Sequence, residues 1–362
     1  MNTVNKLKTR ELTAIVLLLI AIKISDMTAV LLAQDTKNAF WMVPVISFVT
    51  ILPTVLMMLH LLKKHKDQNL IGVINKTFGK YIGGFVGFIF FAISFAALTI
   101  DSRNTIDVLE TIYFRESPSM ILYAIFMFIC VLAAWKGFQV LGSVTYLMLP
   151  YLKIAMLLLG VLMVKEVIFL RVFPLFGEGL KTLVWEGVKR ASLFTELIIL
   201  SMAYPSIKDK ENYHKGILGG GIFALLELTA FFFLYCTFFD YKSIDKNAYI
   251  FHEVTQYISI GGFFTNMETF FMAFWLVASF VRFTIYLYFA AWIFGEVFSI
   301  KEFRPLMLPL AFMVVIFGSI PEDAITNVLF LRNYLLTMIT PVVLAFPFLV
   351  WITAKIKGVF QS

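Results

Sequence analysis

Residues 20–33, IAIKISDMTAVLLA, place a cation, Lys23, and an anion, Asp26, inside an otherwise hydrophobic segment. An ionised side chain at the centre of a bilayer costs at least about 2.5–3.5 kcal/mol, so such residues pair up, face the bundle interior or line a hydrated cavity. The run ISDMT also favours a helix less than the leucine-rich run before it. We therefore predict a helix broken near Asp26 that exposes backbone groups to a central cavity. A structural ion pair, within this segment or to neighbouring helices, is the alternative.

The composition is that of an integral membrane protein. Hydrophobic residues make up 60% of the 362 residues and charged residues 15%, whereas a soluble domain carries about 25% charged residues. The net charge of +7 is explained by lysines in short loops, so we expect no nucleic-acid binding. Cys130 and Cys236 lie in apolar runs, and the four histidines lack metal-ligand spacing. We therefore expect neither a disulfide framework nor a metal site.

Ten segments are long and apolar enough to cross a bilayer, which takes about 20 residues per helix. These spans, numbered 1 to 10, lie near residues 12–33, 40–62, 81–103, 119–135, 138–164, 183–206, 215–239, 265–298, 304–320 and 331–354. We predict an all-α polytopic membrane protein with a single transmembrane domain over residues 1–362. Lysine and arginine are more frequent in the connections on the side of both chain ends, which predicts cytoplasmic N and C termini.

Span 6 contains a second candidate interruption, FTELIILSMAYP at residues 194–205. Thr195 and Glu196 lie near its middle, and Pro205 lies near its inner end. Spans 1 and 6 occupy corresponding places in two sets of five, and paired interruptions of this kind indicate a transporter-type binding site. The alternative is that Glu196 is a buried carboxylate bonded to a neighbouring helix.

Span 3 carries a stripe of small residues that ends in an acid. One helical face holds Gly83, Gly87, Ser94, Ala97 and Asp101. Close helix packing is the ordinary interpretation of such a stripe. The functional interpretation is that Ser94 contacts a ligand and Asp101 acts as a gate at the outer mouth.

A polar and aromatic stripe follows one face of span 8. Its members are Glu268, Trp275, Ser279, Arg282 and Tyr286. This spacing predicts that the stripe looks into the bundle, with Glu268 and Trp275 lining the ligand cavity. A structural network with Glu196 or Asp26 is the alternative.

Lys153 lies in the middle of span 5. Because burial can lower the pKa of a lysine far below its free value, we predict a proton-linked role for Lys153, and the same class of role for Lys23. The alternative is that Lys153 is the counter-ion of a buried carboxylate.

The order of several motifs resembles a known family. The run FPLFGEGLKTLVWEGVKRASLFTEL at residues 173–197 resembles the segment joining spans 5 and 6 in the amino acid–polyamine–organocation (APC) superfamily. The runs GGFFTNMETFFMAFWL (261–276), YLYFAA (286–291) and RPLMLPLAF (304–312) resemble, more specifically, the B subunit of bacterial spore germinant receptors. The resemblance covers nearly the whole chain. Each motif is degenerate, so the resemblance rests on the order in which the motifs occur.

This resemblance implies a LeuT-like fold, a five-plus-five inverted repeat with discontinuous helices 1 and 6 and a central pocket bounded by spans 1, 3, 6 and 8. Repeat one would cover about residues 12–164 and repeat two about residues 183–354. It also implies a receptor subunit that binds a small germinant, an amino acid or related molecule. Such a subunit works beside a larger A subunit and a lipoprotein C subunit in the inner spore membrane.

Carried over by position, the break of span 1 falls on Ile24, Ser25 and Asp26, and that of span 6 on Thr195 and Glu196. The superfamily usually places a glycine pair in the first break, whereas this chain reads KISDMT without a glycine. Because Asp26 would repel a ligand carboxylate, a neutral or amine-bearing ligand suits these two carboxylates better.

The alternative function is a proton-coupled transporter of amino acids or amines on the same fold. Lys153 matches the region where some proton-coupled relatives use a span 5 lysine in place of sodium. The chain shows no nucleophile–base spacing and no metal-ligand cluster, so we expect no enzyme activity and no cofactor.

Overall fold

The computed structural model describes residues 6–65, 68–258, 267–321 and 326–357. This part of the chain is almost entirely helical, and its single β contact is an isolated parallel bridge between Leu7 and Ile207. Within it, six helical stretches are long and apolar enough to cross a membrane. Two shorter apolar helices and the two interrupted segments complete the ten predicted spans. The chain is a multi-pass membrane protein, as predicted.

Span 1 is interrupted where the sequence predicts. Its pieces are α1 (Thr9–Ala21), a 3-10 turn (Ile22–Ile24) and α2 (Thr28–Thr36). The Asp26 carboxylate accepts a hydrogen bond from the Thr28 backbone N–H at 2.9 Å. The Ser25 hydroxyl donates to the Ile22 carbonyl at 2.7 Å. Side chains of the ISDMT run thus replace hydrogen bonds that the backbone gives up at the break.

Spans 2 to 5 are continuous helices, and one short helix lies between spans 2 and 3. They are α3 (Val43–Lys64), the short α4 (Leu70–Phe78), α5 (Lys80–Val108), α6 (Ser119–Ala134) and α7 (Phe138–Met163). A π-helical turn, Leu109–Tyr113, extends α5.

Span 6 is divided more finely than span 1. Its predicted first residues, 183–189, belong to the separate helix α8 (Leu180–Lys189). The span itself consists of a 3-10 turn (Ala191–Phe194), a single α-turn, α9 (Glu196–Ile199), and a 3-10 helix (Leu200–Ser206). The predicted break at Thr195 and Glu196 therefore belongs to a longer irregular stretch.

Spans 7 to 10 complete the bundle. The remaining helices are α10 (Tyr213–Phe238), α11 (Tyr241–Lys246), α12 (Ile250–Tyr257), α13 (Met267–Val297), α14 (Met307–Gly318) and α15 (Asn333–Ile356). A π-helical segment, Thr326–Arg332, leads into α15. The predicted start of span 8 at residues 265–266 lies outside the described residues.

The start of span 6 is hydrogen-bonded to span 10 through both backbone and side-chain groups. Ser192 donates through its hydroxyl to the Leu336 carbonyl at 2.7 Å, and its backbone N–H donates to the Thr340 hydroxyl at 3.1 Å. The fully buried Arg190 donates to Asn333 at 2.5 Å and pairs with Asp35 at 2.9 Å. Non-helical backbone at membrane depth requires such partners, because lipid offers none.

Both ends of the described chain lie on one face, which we call the inner face. The backbone at Leu7 pairs with that at Ser206 and Lys208, at the inner end of span 6. The Lys357 ammonium, just beyond α15, donates to the Thr77 carbonyl of α4 at 2.8 Å. The opposite face, which carries α12, is called the outer face.

Candidate functional site

Six ionised side chains from five spans meet in the middle of the bundle. This central network consists of Lys23, Asp26, Asp101, Glu196, Arg282 and Arg332. Each side chain is 12% exposed or less, and the three cations balance the three anions. Such a set is tolerated inside a membrane protein because every charge has an opposite charge beside it.

Lys23 connects the two breaks. Its Nζ lies 2.7 Å from Glu196 Oε1 and 2.9 Å from Oε2, and it also donates to the Leu193 carbonyl. The Tyr286 hydroxyl donates to Glu196 at 2.6 Å. The structure therefore pairs Lys23 with a neighbouring helix rather than with Asp26, one turn away.

Asp26 and Asp101 share two arginines. Arg332 lies 2.6 Å from Asp26 and 3.1 Å from Asp101. Arg282 lies 3.4 Å from Asp26 and also donates to Asp101. Each guanidinium thus contacts both carboxylates, and this cluster joins spans 1, 3, 8 and 10.

A cavity of about 60 Å³, the central cavity, adjoins this network between spans 1, 3, 6, 8 and 10. Its polar walls come from Lys23, Ser94, Asp101, Thr195, Glu196, Tyr286 and Arg332. Among the described residues, the buried Ser94 hydroxyl and Arg332 Nη1 have no hydrogen-bond partner. These atoms are therefore available to a water or a ligand. Pockets that bind drug-sized ligands have volumes of about 300–1,000 Å³. The central cavity is much smaller, so a ligand of that size could enter only if the lining helices moved apart.

A second cavity, also about 60 Å³, lies between span 1 and spans 5, 7 and 8. Its walls include Ile24, Ser25, Lys153, Glu227 and Trp275. Lys153 donates to Glu227 at 2.5 Å, so it is the counter-ion of a carboxylate on α10. The break of span 1 separates this charged pair from the central cavity.

Two of the predicted ligand-binding residues line neither cavity. Asp26 lies inside the central network, where Thr28 and the two arginines occupy its oxygens. Glu268 lies at the outer end of α13 and is partly exposed, so the structure does not bring it to the other predicted residues.

Arg332 is the functional candidate that the sequence did not reveal. It lies at the start of span 10, where an arginine is ordinarily a basic residue flanking a span. The sequence gives only a weak indication that Arg332 is buried, namely the apolar runs VLFL and YLL on either side of RN. Tyr286 belongs to the span 8 stripe, and its hydrogen bond to Glu196 is a contact of the structural network that the sequence left open as the alternative.

Comparisons with known proteins agree with this architecture. A family model described as "Spore germination protein" matches residues 6–326. The chain belongs to the spore germination protein family. It is 23% identical over 341 residues to the curated Bacillus subtilis (strain 168) protein YfkT, whose name marks its germination role as provisional, and the match covers 92% of each chain.

Solved transporters share the fold of this family member. Mhp1, a nucleobase-cation-symport-1 family transporter solved closed with bromovinylhydantoin bound, has a TM-score of 0.65 and 15% identity over 95% of this chain and 78% of its own. A manganese transporter of Eremococcus coleocola has a TM-score of 0.55 and 12% identity over 94% and 78%. These likenesses confirm the predicted LeuT-like fold.

His252 of α12 is buried on the outer face of this family member. Its Nδ1 lies 3.1 Å from the Tyr113 hydroxyl, and its ring lies edge-on to Trp275 with centroids 4.5 Å apart. Phe251, the preceding residue, lines the second cavity. Burial lowers the pKa of His252 to about 3, so the imidazole is neutral near pH 7 where it packs against Trp275.

We expect Lys23→Met to destabilise the folded protein by about 3–5 kcal/mol, because it removes the counter-ion of the buried Glu196 carboxylate. Lys23→Met/Glu196→Gln should recover a large part of that loss. The check is a double-mutant cycle on thermal unfolding in detergent. Lys37→Met is the matched control, since Lys37 and its partner Glu178 are both more than 40% exposed and an exposed pair contributes about 0–1 kcal/mol. Additive losses in the cycle would contradict the coupling.

We expect acid to destabilise the docked α12 through His252. The folded-state pKa is below the unfolded value of 6.5, so stability is fully present above about pH 6.5 and falls as the pH falls toward 3. At pH 5 the loss is about 2 kcal/mol. Melting temperatures at pH 7.5 and 5.0 measure it. His252→Asn should reduce the acid-dependent loss, whereas His214→Asn, at an exposed position, should retain it. The same loss in both variants would reject the assignment.

Proposed function

We propose that this protein is the membrane subunit of a spore germinant receptor. It binds a small germinant, an amino acid or a related molecule, in the central cavity. The conformational change caused by ligand binding is then transmitted to receptor A and C subunits in the inner spore membrane. Both ends of the chain lie in the cytoplasm. Family membership supports the role in germination, and the transporter-like fold supports a ligand site between the two interrupted spans.

The observation that carries this proposal is the ion pair between Lys23 and Glu196. It joins the break of span 1 to the break of span 6 at the wall of the central cavity. A ligand that hydrogen-bonds to either partner competes with the pair. Ligand binding therefore favours a different arrangement of the two spans, and this differential affinity is what a receptor needs to transmit a signal.

The cavity chemistry suits a zwitterion. Glu196 can accept hydrogen bonds from a ligand amine, while Lys23 and the unpartnered Nη1 of Arg332 can donate to a ligand carboxylate. The sequence alone favoured an amine-bearing or neutral ligand, because it did not reveal that Lys23 and Arg332 line the same cavity as Glu196. The proposed ligand class is thus a small molecule that carries both charges.

The second candidate function is a proton-coupled transporter of amino acids or amines. The observation that favours it is the Lys153–Glu227 pair in the second cavity, across span 1 from the proposed ligand site. Protonation of such a pair would alter the packing of span 1 against spans 5 and 7. The fold is shared with transporters and is compatible with both functions.

The ligand site can be tested in spores that carry single variants. We expect Glu196→Gln and Asp26→Asn to raise the amino acid concentration needed for germination at least tenfold, while the protein still accumulates in the membrane. Germination is followed as the fall in optical density of the suspension. Glu268→Gln is the matched control, because Glu268, unlike Asp26 and Glu196, belongs neither to the central network nor to a cavity wall, so the variant should respond normally. Normal responses of both site variants would make these carboxylates purely structural.

The receptor and the transporter differ in whether the ligand crosses the membrane. In proteoliposomes that hold this chain alone, we expect no accumulation of labelled amino acid under an inward proton gradient, and we expect germination to require both partner subunits. Gradient-driven uptake that disappears in Lys153→Met would instead establish the transporter.

A further inference from the structure

A basic groove opens on the inner face, away from both cavities described above. It has a volume of about 690 Å³ and lies between the inner ends of α3, span 6 and α10. Three lysines and two histidines line it, against one acid: Lys63, Lys210, Lys215, His60, His214 and Glu211. The lysines alone give this small region an excess of positive charge.

The basic residues come from separate segments that the fold brings together. Lys63 belongs to the last turn of α3, whereas Lys215 belongs to the first turn of α10. Lys210, from the connection before α10, lies 5.8 Å from the centre of the Tyr204 ring. The ammonium groups therefore surround one concave space rather than lining a single helix.

The groove is apolar on the side that continues along the spans. Leu56 and Leu59 of α3 face Leu218 of α10 across it, and Leu56 is 47% exposed. Both helices cross the membrane, so these leucines lie deeper in the bilayer than the lysines at the helix ends. The groove thus combines cations at the membrane surface with exposed hydrocarbon below them.

We propose that this groove binds an anionic phospholipid. The phosphate of the headgroup lies among Lys63, Lys210 and Lys215, and an acyl chain covers Leu56 and Leu59. Basic pockets between transmembrane helices recognise anionic headgroups through charge complementarity. Free phosphate would satisfy the lysines but leave the leucines uncovered, so the combination favours the lipid.

This lipid would also contact the inner end of span 6. Tyr204 lines the groove, and Tyr213, another of its residues, donates to the Leu200 carbonyl at 3.0 Å. A bound headgroup therefore stabilises the present arrangement of the inner part of span 6. The proposal does not depend on which ligand the central cavity takes.

The test uses the purified full chain in neutral detergent, with melting temperature as the readout. Phosphatidylglycerol should raise the melting temperature more than phosphatidylcholine does. Lys63→Gln/Lys215→Gln should weaken the apparent affinity for phosphatidylglycerol at least tenfold, and Lys63→Arg/Lys215→Arg should preserve it. The matched control is Lys80→Gln/Lys301→Gln, which removes two exposed lysines outside the groove and should have no effect.

Three outcomes would overturn the proposal. Equal stabilisation by phosphatidylcholine would show that headgroup charge is not recognised. Equal losses in the groove variant and in the Lys80/Lys301 control would assign the effect to diffuse surface charge. The same shift with inorganic phosphate alone, at matched concentration, would identify the occupant as a free anion.

Discussion

The bilayer core offers no hydrogen bonds, so an interrupted helix survives there only if side chains satisfy the groups that the backbone leaves open. Lys23 meets this requirement at span 6, because its ammonium donates to the Leu193 carbonyl, and the same ammonium pairs with the Glu196 carboxylate. The breaks and the charges therefore require each other. A regular span 6 would leave Lys23 without that carbonyl, and a span 1 without Lys23 would leave Glu196 as an uncompensated anion. This mutual dependence fixes spans 1 and 6 against each other in the middle of the molecule.

The two charged clusters and the two cavities follow from that arrangement. Arg282 and Arg332 hold Asp26 on one side of the break, while Lys153 and Glu227 pair on the other. Ion pairs buried in this way contribute little net stability, since desolvation offsets attraction, but the loss of one partner is costly. Their effect is to make the position of span 1 depend on every partner at once. A rearrangement of side chains in either cavity must therefore alter the interrupted segment of span 1.

The sequence predicted the spans and both breaks because hydrophobic length and misplaced charge are local signals. It could not predict the partners, since Lys23 and Glu196 are 173 positions apart and only the fold brings them together. Arg332 was missed because an arginine at the end of a span ordinarily faces the headgroups. Glu268 shared a helical face with Trp275, but α13 carries it outward past both cavities. The spacing of residues in the sequence identifies which face of a helix they share. Their depth in the membrane depends instead on where the helix begins and ends.

Charge balance also constrains what the central cavity can accept on the proposed function. A ligand with a single charge would bind one member of the Lys23–Glu196 pair and leave the other buried without a partner, which costs several kcal/mol. A zwitterion of suitable length can pair with both Lys23 and Glu196. The ion pair between them is then replaced without leaving either charge buried and unpaired. An uncharged ligand must fit beside the intact pair, and the cavity of about 60 Å³ leaves room for few atoms. Selectivity for net-neutral molecules that carry both charges thus arises from the penalty imposed on the alternatives rather than from extra attraction.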